Sequence, residues 1–175
     1  MSIIESFSPI TRGAGSPEGK VTAPVGSTYT DTAATNGAIR WIKTTPSGAT
    51  GWKVEYGDTG WRSITGFTAS GITVSAGYVN ARRVGDEVNL VFEGIKTSGA
   101  GNVVLYNLPA GFRPGSTPVR FTTDTYWSGD TVETGRVASS GAVEFRGLAA
   151  AHQFSFSLCY LTTNAWPTTL PGTPA

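Results

Sequence analysis

The sequence predicts an all-β chain, and three observations predict it. Apolar residues recur with period 2, and no window sustains a 3.6-residue repeat. Twenty-three glycines and ten prolines among 175 residues cut the chain into short runs. Those runs are rich in Val, Ile, Thr, Phe, Tyr and Trp and are bounded by Gly, Pro, Asn or Asp. The clearest is near the end, where Phe154, Phe156, Leu158 and Tyr160 alternate with Gln153, Ser155, Ser157 and Cys159. Polar partners at that period mark a half-buried strand. Little or no helix is expected.

Residues 1–14 read as a lead-in, extended and packed only in an assembly. Residues 15–66 read as a first β module of short strands. Within it, Tyr29-Thr30-Asp31 is a strand, Thr35-Asn36-Gly37 a turn, Ala38 to Lys43 a strand, Thr45 to Thr50 a loop and Trp52 to Tyr56 a strand. A near repeat closes the module: Thr50-Gly51-Trp52-Lys53 returns as Thr59-Gly60-Trp61-Arg62, with Gly57-Asp58 between as a hairpin-type turn. Each Trp is expected to pack while its basic neighbour faces out. Residues 67–76 are small and polar enough for a linker, and equally suit a strand of either neighbour.

Residues 77–175 read as a second β domain. Gly85-Asp86 offers a two-residue loop with Gly first, as a type II′ turn prefers. That register puts Val79, Ala81 and Arg83 on one face with Val88, Leu90 and Phe92, with Arg83 beside the turn and reaching water. Asn102 to Leu108 is a strand, broken by Leu108-Pro109-Ala110-Gly111-Phe112-Arg113-Pro114, and Pro118 to Thr123 resumes. Val132 to Val137 and Ala142 to Arg146 flank Ser139-Ser140-Gly141, a three-residue hairpin loop with Gly at the left-handed position. Pairing 136 with 144 sets Arg136 opposite Glu144, a favourable cross-strand charge pair.

Composition narrows the function classes. At 39% hydrophobic and 14% charged, the chain is globular rather than disordered. Thirteen basic against twelve acidic residues leave a net charge of +1 with no clustered basic face, so nucleic acid is not an expected partner. Arg82-Arg83 is the lone basic doublet, and on a strand its side chains leave opposite faces. The start of the chain lacks the basic and apolar regions of a signal peptide, and no apolar run reaches the length of a membrane span. A soluble protein made in a cytoplasm, without membrane insertion, is expected. A single cysteine, Cys159, excludes an internal disulfide framework and a multi-cysteine zinc site.

The catalytic inventory is thin. His152 is the only histidine, read as a residue near the start of a strand or at a subunit contact, and no Gly-x-Ser-x-Gly elbow precedes a helix. Asp130 and Glu133 are close in sequence, but two acids on one loop do not span the cleft of about 5–9 Å that a glycosidase pair needs. No enzymatic activity, cofactor or metal is expected; Asp124, Asp130 and Glu133 offer oxygen atoms without an EF-hand pattern.

Two resemblances give the chain a context. The Gly15-Ser16-Pro17-Glu18-Gly19 opening, the Pro24-Val25-Gly26-Ser27 step, Tyr29-Thr30-Asp31 and Gly51-Trp52 together resemble a small module of tailed-bacteriophage tail proteins, which precedes a receptor-binding or enzymatic head. The Gly85-Asp86-Glu87-Val88 hairpin, Leu108 to Pro114, Ser139-Ser140-Gly141 followed by Val143-Glu144-Phe145, and a tyrosine-bearing last strand trailing into Trp166-Pro167 are similar to the trimeric β-barrel heads of phage tail receptor-binding proteins. These resemblances imply a short-stranded N-terminal module and a C-terminal antiparallel β-barrel or sandwich head, intertwined or packed as a homotrimer. They imply a virion protein of the tail tip, made in the bacterial host cytoplasm, attached to other tail or baseplate proteins through its N-terminal module and adsorbing to a bacterial cell-wall saccharide. Family heads bind such saccharides through an aromatic platform with acidic, His or Arg neighbours. Here Thr134, Arg136 and Phe145 stand where binding heads often carry His, Asp and Trp, a departure that bears on both site and ligand.

The residues themselves nominate Tyr126, Trp127, Asp130, Glu133 and Arg136 as a saccharide-binding set, since two aromatics, two acids and an arginine fall within a dozen positions beside turns. Sugar C–H faces stack on aromatic rings while carboxylates accept hydroxyl hydrogens, the usual composition of a binding site. Trp127 packed in the barrel core or between subunits is the competing reading. Three other functions stay open: a purely structural fibre-tip or baseplate component, a secreted carbohydrate-binding module, and a tailspike depolymerase.

Overall fold

The computed structural model describes residues 10–69, 72–125 and 131–175. They form an all-β protein with no α-helix among the described residues; one 3-10 turn covers Thr65–Phe67. The chain divides into two compact units between Asp58 and Thr59, rather than after residue 66. A long strand begins at Ile72, so the 67–76 segment takes the strand alternative over part of its length.

The first unit holds a four-stranded sheet in chain order, β1 (Ile10–Gly13), β2 (Thr28–Asp31), β3 (Ala38–Lys43) and β4 (Trp52–Gly57). β1 pairs in parallel with β2, Ile10 opposite Thr28, so part of the expected lead-in is built into this unit. β3 pairs antiparallel with both β2 and β4. Gly57-Asp58 is not a hairpin turn: Gly57 lies opposite Ala38 and the Asp58 amide donates to the Gly37 carbonyl, extending the β3–β4 pairing.

Few apolar side chains are buried in this unit, Tyr29, Trp41 and Trp52 chief among them, with the Tyr29 and Trp52 rings edge-on at 6.1 Å. Small cores need additional fasteners, and here three charged side chains serve, Asp31 and Lys43 buried and Glu18 at the surface. Asp31 accepts from the amides of Gly15, Ala33 and Ala34 at 2.8, 2.9 and 3.1 Å. Glu18 accepts from those of Gly51 and Trp52 at 3.1 and 2.7 Å. Lys43, 1% exposed, donates to the Thr45 and Ser47 carbonyls at 3.0 and 3.1 Å and to the Thr45 hydroxyl. Asp31 and Lys43, the two of these charges that are buried, thus meet the bonding demand that burial imposes.

The second unit contains β5 (Arg62–Ser63), β6 (Ile72–Val84), β7 (Glu87–Thr97), β8 (Gly101–Asn107), β9 (Val119–Thr125), β10 (Thr131–Val137), β11 (Ala142–Leu148), β12 (Gln153–Leu161) and β13 (Thr173–Pro174). They form one sheet, ordered β13-β5-β6-β7-β12-β9-β10-β11-β8, with antiparallel pairing throughout. At its far edge, Tyr106 of β8 bridges Thr68, and the Ala69 amide donates to the Leu105 carbonyl at 3.1 Å. The segment leading into β6 thus meets β8, curling the sheet back on itself.

The expected registers hold. Val79, Ala81 and Arg83 pair with Phe92, Leu90 and Val88 around a turn whose Gly85 has φ +56°. Arg136 pairs with Glu144 around a loop whose Gly141 has φ +96°. Both loops need a left-handed residue at one position, and glycine takes it without steric cost. The inward residues build an aromatic core: Phe145 stacks on Phe154 at 4.3 Å, Phe156 on Phe92 at 4.6 Å, and Phe121 on Phe156 at 4.9 Å. Such pairs contribute about 0.5–1.5 kcal/mol each beyond the area they bury.

Candidate functional site

Of the nominated set, Tyr126, Trp127 and Asp130 lie outside the described residues, and Glu133 and Arg136 lie on β10. Three residues apart on a strand, these two leave opposite faces. Glu133, Gly135 and Val137 point inward, toward the core side; Val132, Thr134 and Arg136 point outward. Glu133 approaches the only histidine, its Oε1 3.7 Å from His152 Nε2. His152 is buried just ahead of β12, where its amide donates to Thr97 Oγ1 at 2.9 Å and its carbonyl accepts from the Thr97 amide at 3.0 Å. Glu133 therefore works on the inner side of the sheet, away from Arg136.

The outer face of β9, β10 and β11 collects charge that the sequence spreads over 27 positions. Arg136 Nε donates to Glu144 Oε1, and the Arg146 guanidinium lies 3.3 Å from the same oxygen. Arg120 stands opposite Arg136 in the β9–β10 register, and Thr122 opposite Thr134. Three guanidiniums and two threonine hydroxyls share this outer face with two carboxylates, Glu144 and the exposed Asp124 opposite Val132, and leave it polar and net basic, rich in donors that suit a hydroxylated or anionic ligand. Gly135 permits this arrangement from below, because a side chain there would collide with the Phe121 ring that crosses it. Phe145 is fully buried on β11 and belongs to the core.

At one end of the unit, Arg83 overturns the expectation that it reaches water. It is 2% exposed. Its Nε donates to the Gly85 carbonyl at 2.8 Å, and its terminal nitrogens reach the carbonyls of Gly111, Asn164 and Ala165 at 2.6, 3.0 and 3.1 Å. Burial pulls the guanidinium below its ordinary range, while Asp86, 3.3 Å away, opposes the shift. The same end is closed by Tyr160, whose hydroxyl donates to the Phe112 carbonyl, and by Thr162 and Asn164, which donate to the Arg113 carbonyl. An open groove of about 590 Å³ runs alongside, lined by Pro109, Gly111, Trp166, Pro167 and Leu170.

A second, smaller cleft of about 290 Å³ lies on the outer face of β5, β6 and β7, lined by Trp61, Tyr78, Asn80, Val91 and Ala175. In the sequence Trp61 is half of a repeat in which both Trp side chains are expected to pack. The two halves share their turn, with Gly51 at φ +85° and Gly60 at φ +63°, but not their fate. Trp52 is buried and donates its indole N–H to the Val21 carbonyl at 2.9 Å, whereas Trp61 stays 38% exposed. No local signal distinguishes them; the β5–β6 pairing does.

Among the described residues, no group of three or more His, Cys, Asp or Glu side chains gathers to hold a metal, and no helix is long and apolar enough to cross a membrane.

No family model and no curated protein matches the chain. Among solved structures, it is similar to the crystal structure of the head domain of phage bIL170, described in the context of a common fold for the receptor-binding domains of lactococcal phages. The two are 16% identical, over 58% of this chain and 96% of that one, with a TM-score of 0.48.

Proposed function

We propose that this chain is a bacteriophage tail or baseplate protein whose second unit adsorbs, without catalysis, to a saccharide on the host cell surface. One observation carries the reading. The four ordered signals that resemble receptor-binding heads, Gly85 to Val88, Leu108 to Pro114, Ser139 to Gly141 and Trp166-Pro167, fall in a single antiparallel unit. Arg83 links three of the segments near them: its own hairpin, the Gly111 elbow and the 164–166 strand exit. The segments that resemble a tail module, Gly15 to Gly19, Pro24 to Ser27, Tyr29 to Asp31 and Gly51-Trp52, fall in the other unit, which supports the reading. The donor-rich face of Arg120, Thr134, Arg136 and Arg146 suits hydroxyl groups and anionic substituents of a wall polymer. In this reading three copies assemble, so that weak single sites act together on one cell, and the first unit attaches to neighbouring tail proteins.

Co-sedimentation with intact cells and purified cell walls from a panel of bacteria tests the proposal. Saturable retention by one wall type, competed by its released polysaccharide and without polymer shortening, is expected. Retention by none would leave a structural tail component, and shortening of the polymer would identify a depolymerase.

A further inference from the structure

The geometry points to a second carbohydrate site, a single-ring subsite formed by Trp61, Tyr78 and Asn80 on the outer face of β5–β6–β7. It is separate from the β9–β10–β11 face, with β7, β12 and β9 between β6 and β10. The assignment rests on the adsorption reading for the source of its sugar, and on the cleft alone for its chemistry.

Pairing places the three residues together. Ser63 of β5 lies opposite Asn80 and Arg62 opposite Ala81, so Trp61, one position earlier, reaches the same outward face as Tyr78 and Asn80. Two large aromatics are left open, Trp61 at 38% and Tyr78 at 45% exposure, in a unit where Phe92, Tyr106, Phe112, Phe145 and Phe154 are fully buried. Val91, opposite Asn80, forms an apolar floor. Asn80 Oδ1 is buried and accepts no hydrogen bond among the described residues. A buried acceptor left in that state is destabilising, and a ligand hydroxyl donated to it would relieve that.

Aromatic walls, an apolar floor and one oriented amide match a pyranose ring, which offers a C–H face for stacking and hydroxyls at its rim. Polar groups border the cleft: Glu93 lies opposite Tyr78, and Arg82 follows one step along the outward face of β6. The volume of about 290 Å³ is at the lower end of ligand pockets, which begin near about 300 Å³, and fits one ring rather than an extended chain. A peptide strand would instead need a free sheet edge, and this cleft lies on a face bounded by β5 and β13.

Titrating the full chain with glucose, galactose, rhamnose and N-acetylglucosamine, while following the Trp61 indole and Asn80 amide resonances by NMR, tests the assignment. At least one sugar is expected to move both signals. Trp61→Ala is expected to weaken its Kd by about tenfold or more. Asn80→Leu, which keeps the volume and removes the acceptor, is expected to do the same and reads the polar half independently should Trp61→Ala fail to fold. No movement with any of the four sugars overturns the subsite, as does binding that Asn80→Leu leaves intact. A lower oligomer mass in Trp61→Ala without sugar response also overturns it, and makes the face a subunit contact. If bacterial walls retain the chain while sugars leave both signals unmoved, adsorption stands and this subsite falls. If sugars move the signals and no wall retains the chain, the subsite stands and the adsorption reading falls.

Discussion

The guanidinium of Arg83 lies 4.9 Å from the centre of the Trp166 ring. Eighty-three positions separate them in sequence, yet the contact joins the tip of the β6–β7 hairpin to the loop between β12 and β13. A cation over an indole face is worth about 2 kcal/mol when desolvated, and here the same cation also satisfies four backbone carbonyls. This end of the second unit is thus pinned by one side chain.

Arg83→Ala is accordingly expected to be among the most damaging single changes in the unit. It strands carbonyls of Gly85, Gly111, Asn164 and Ala165 and opens a cavity under Trp166. A loss of about 3 kcal/mol or more is expected, as for other broken buried networks. Urea denaturation measures it. A loss below about 0.5 kcal/mol, the size of an ordinary surface change, would contradict the role.

Acid should loosen the first unit through Asp31. Burial alone would raise its carboxyl pKa, but the amides of Ala34, Gly15 and Ala33 outweigh that and, helped by Lys20, hold it below the ordinary range. A depressed folded-state pKa contributes stability that is fully present above the unfolded value of about 3.9. That stability is lost as pH falls through the folded value. The 15–34 segment should therefore lose hydrogen-exchange protection as pH drops below about 4, and Asp31→Asn should flatten the dependence. An unchanged pH profile in that variant would remove Asp31 from the account.

Gly135→Ala is expected to destabilise the second unit although the change adds only a methyl group. The Phe121 ring occupies the space the methyl would need, and Phe121 is itself stacked on Phe156. Overpacking of this kind costs about 1–3 kcal/mol. A double variant with Phe121→Leu should recover part of the loss; thermal melts of the three proteins would show whether it does.

The two faces of β10 should separate in an adsorption assay. Arg136→Ala breaks a partly exposed pair with Glu144, which costs about 1 kcal/mol or less, and should reduce wall retention with little change in melting temperature. Glu133→Gln faces inward near His152 and should leave retention unchanged. Equal effects from both would place the contact elsewhere.

Assembly is checked by light scattering. A homotrimer should give three times the chain mass of 18.3 kDa, and a stable monomer at micromolar concentration would count against the tail-protein reading.

The sequence by itself determined the all-β class and the hairpins. Gly85-Asp86 and Ser139-Ser140-Gly141 carry their backbone conformations in their own residues, and each loop then sets the register of the strands beside it. Period-2 alternation told which side of β7 and β12 would be buried. Only the tertiary structure decided what lies far apart in sequence. It paired β1 with β2, set β9 between β12 and β10, buried Arg83 rather than exposing it, and sent Trp52 inward while leaving Trp61 open. It also separated Glu133 from Arg136, whose closeness in sequence had suggested one site. The physical reason is that turn geometry is a local property of two or three residues. Burial, by contrast, depends on which strand arrives alongside, and closing such long-range pairings draws on the whole chain.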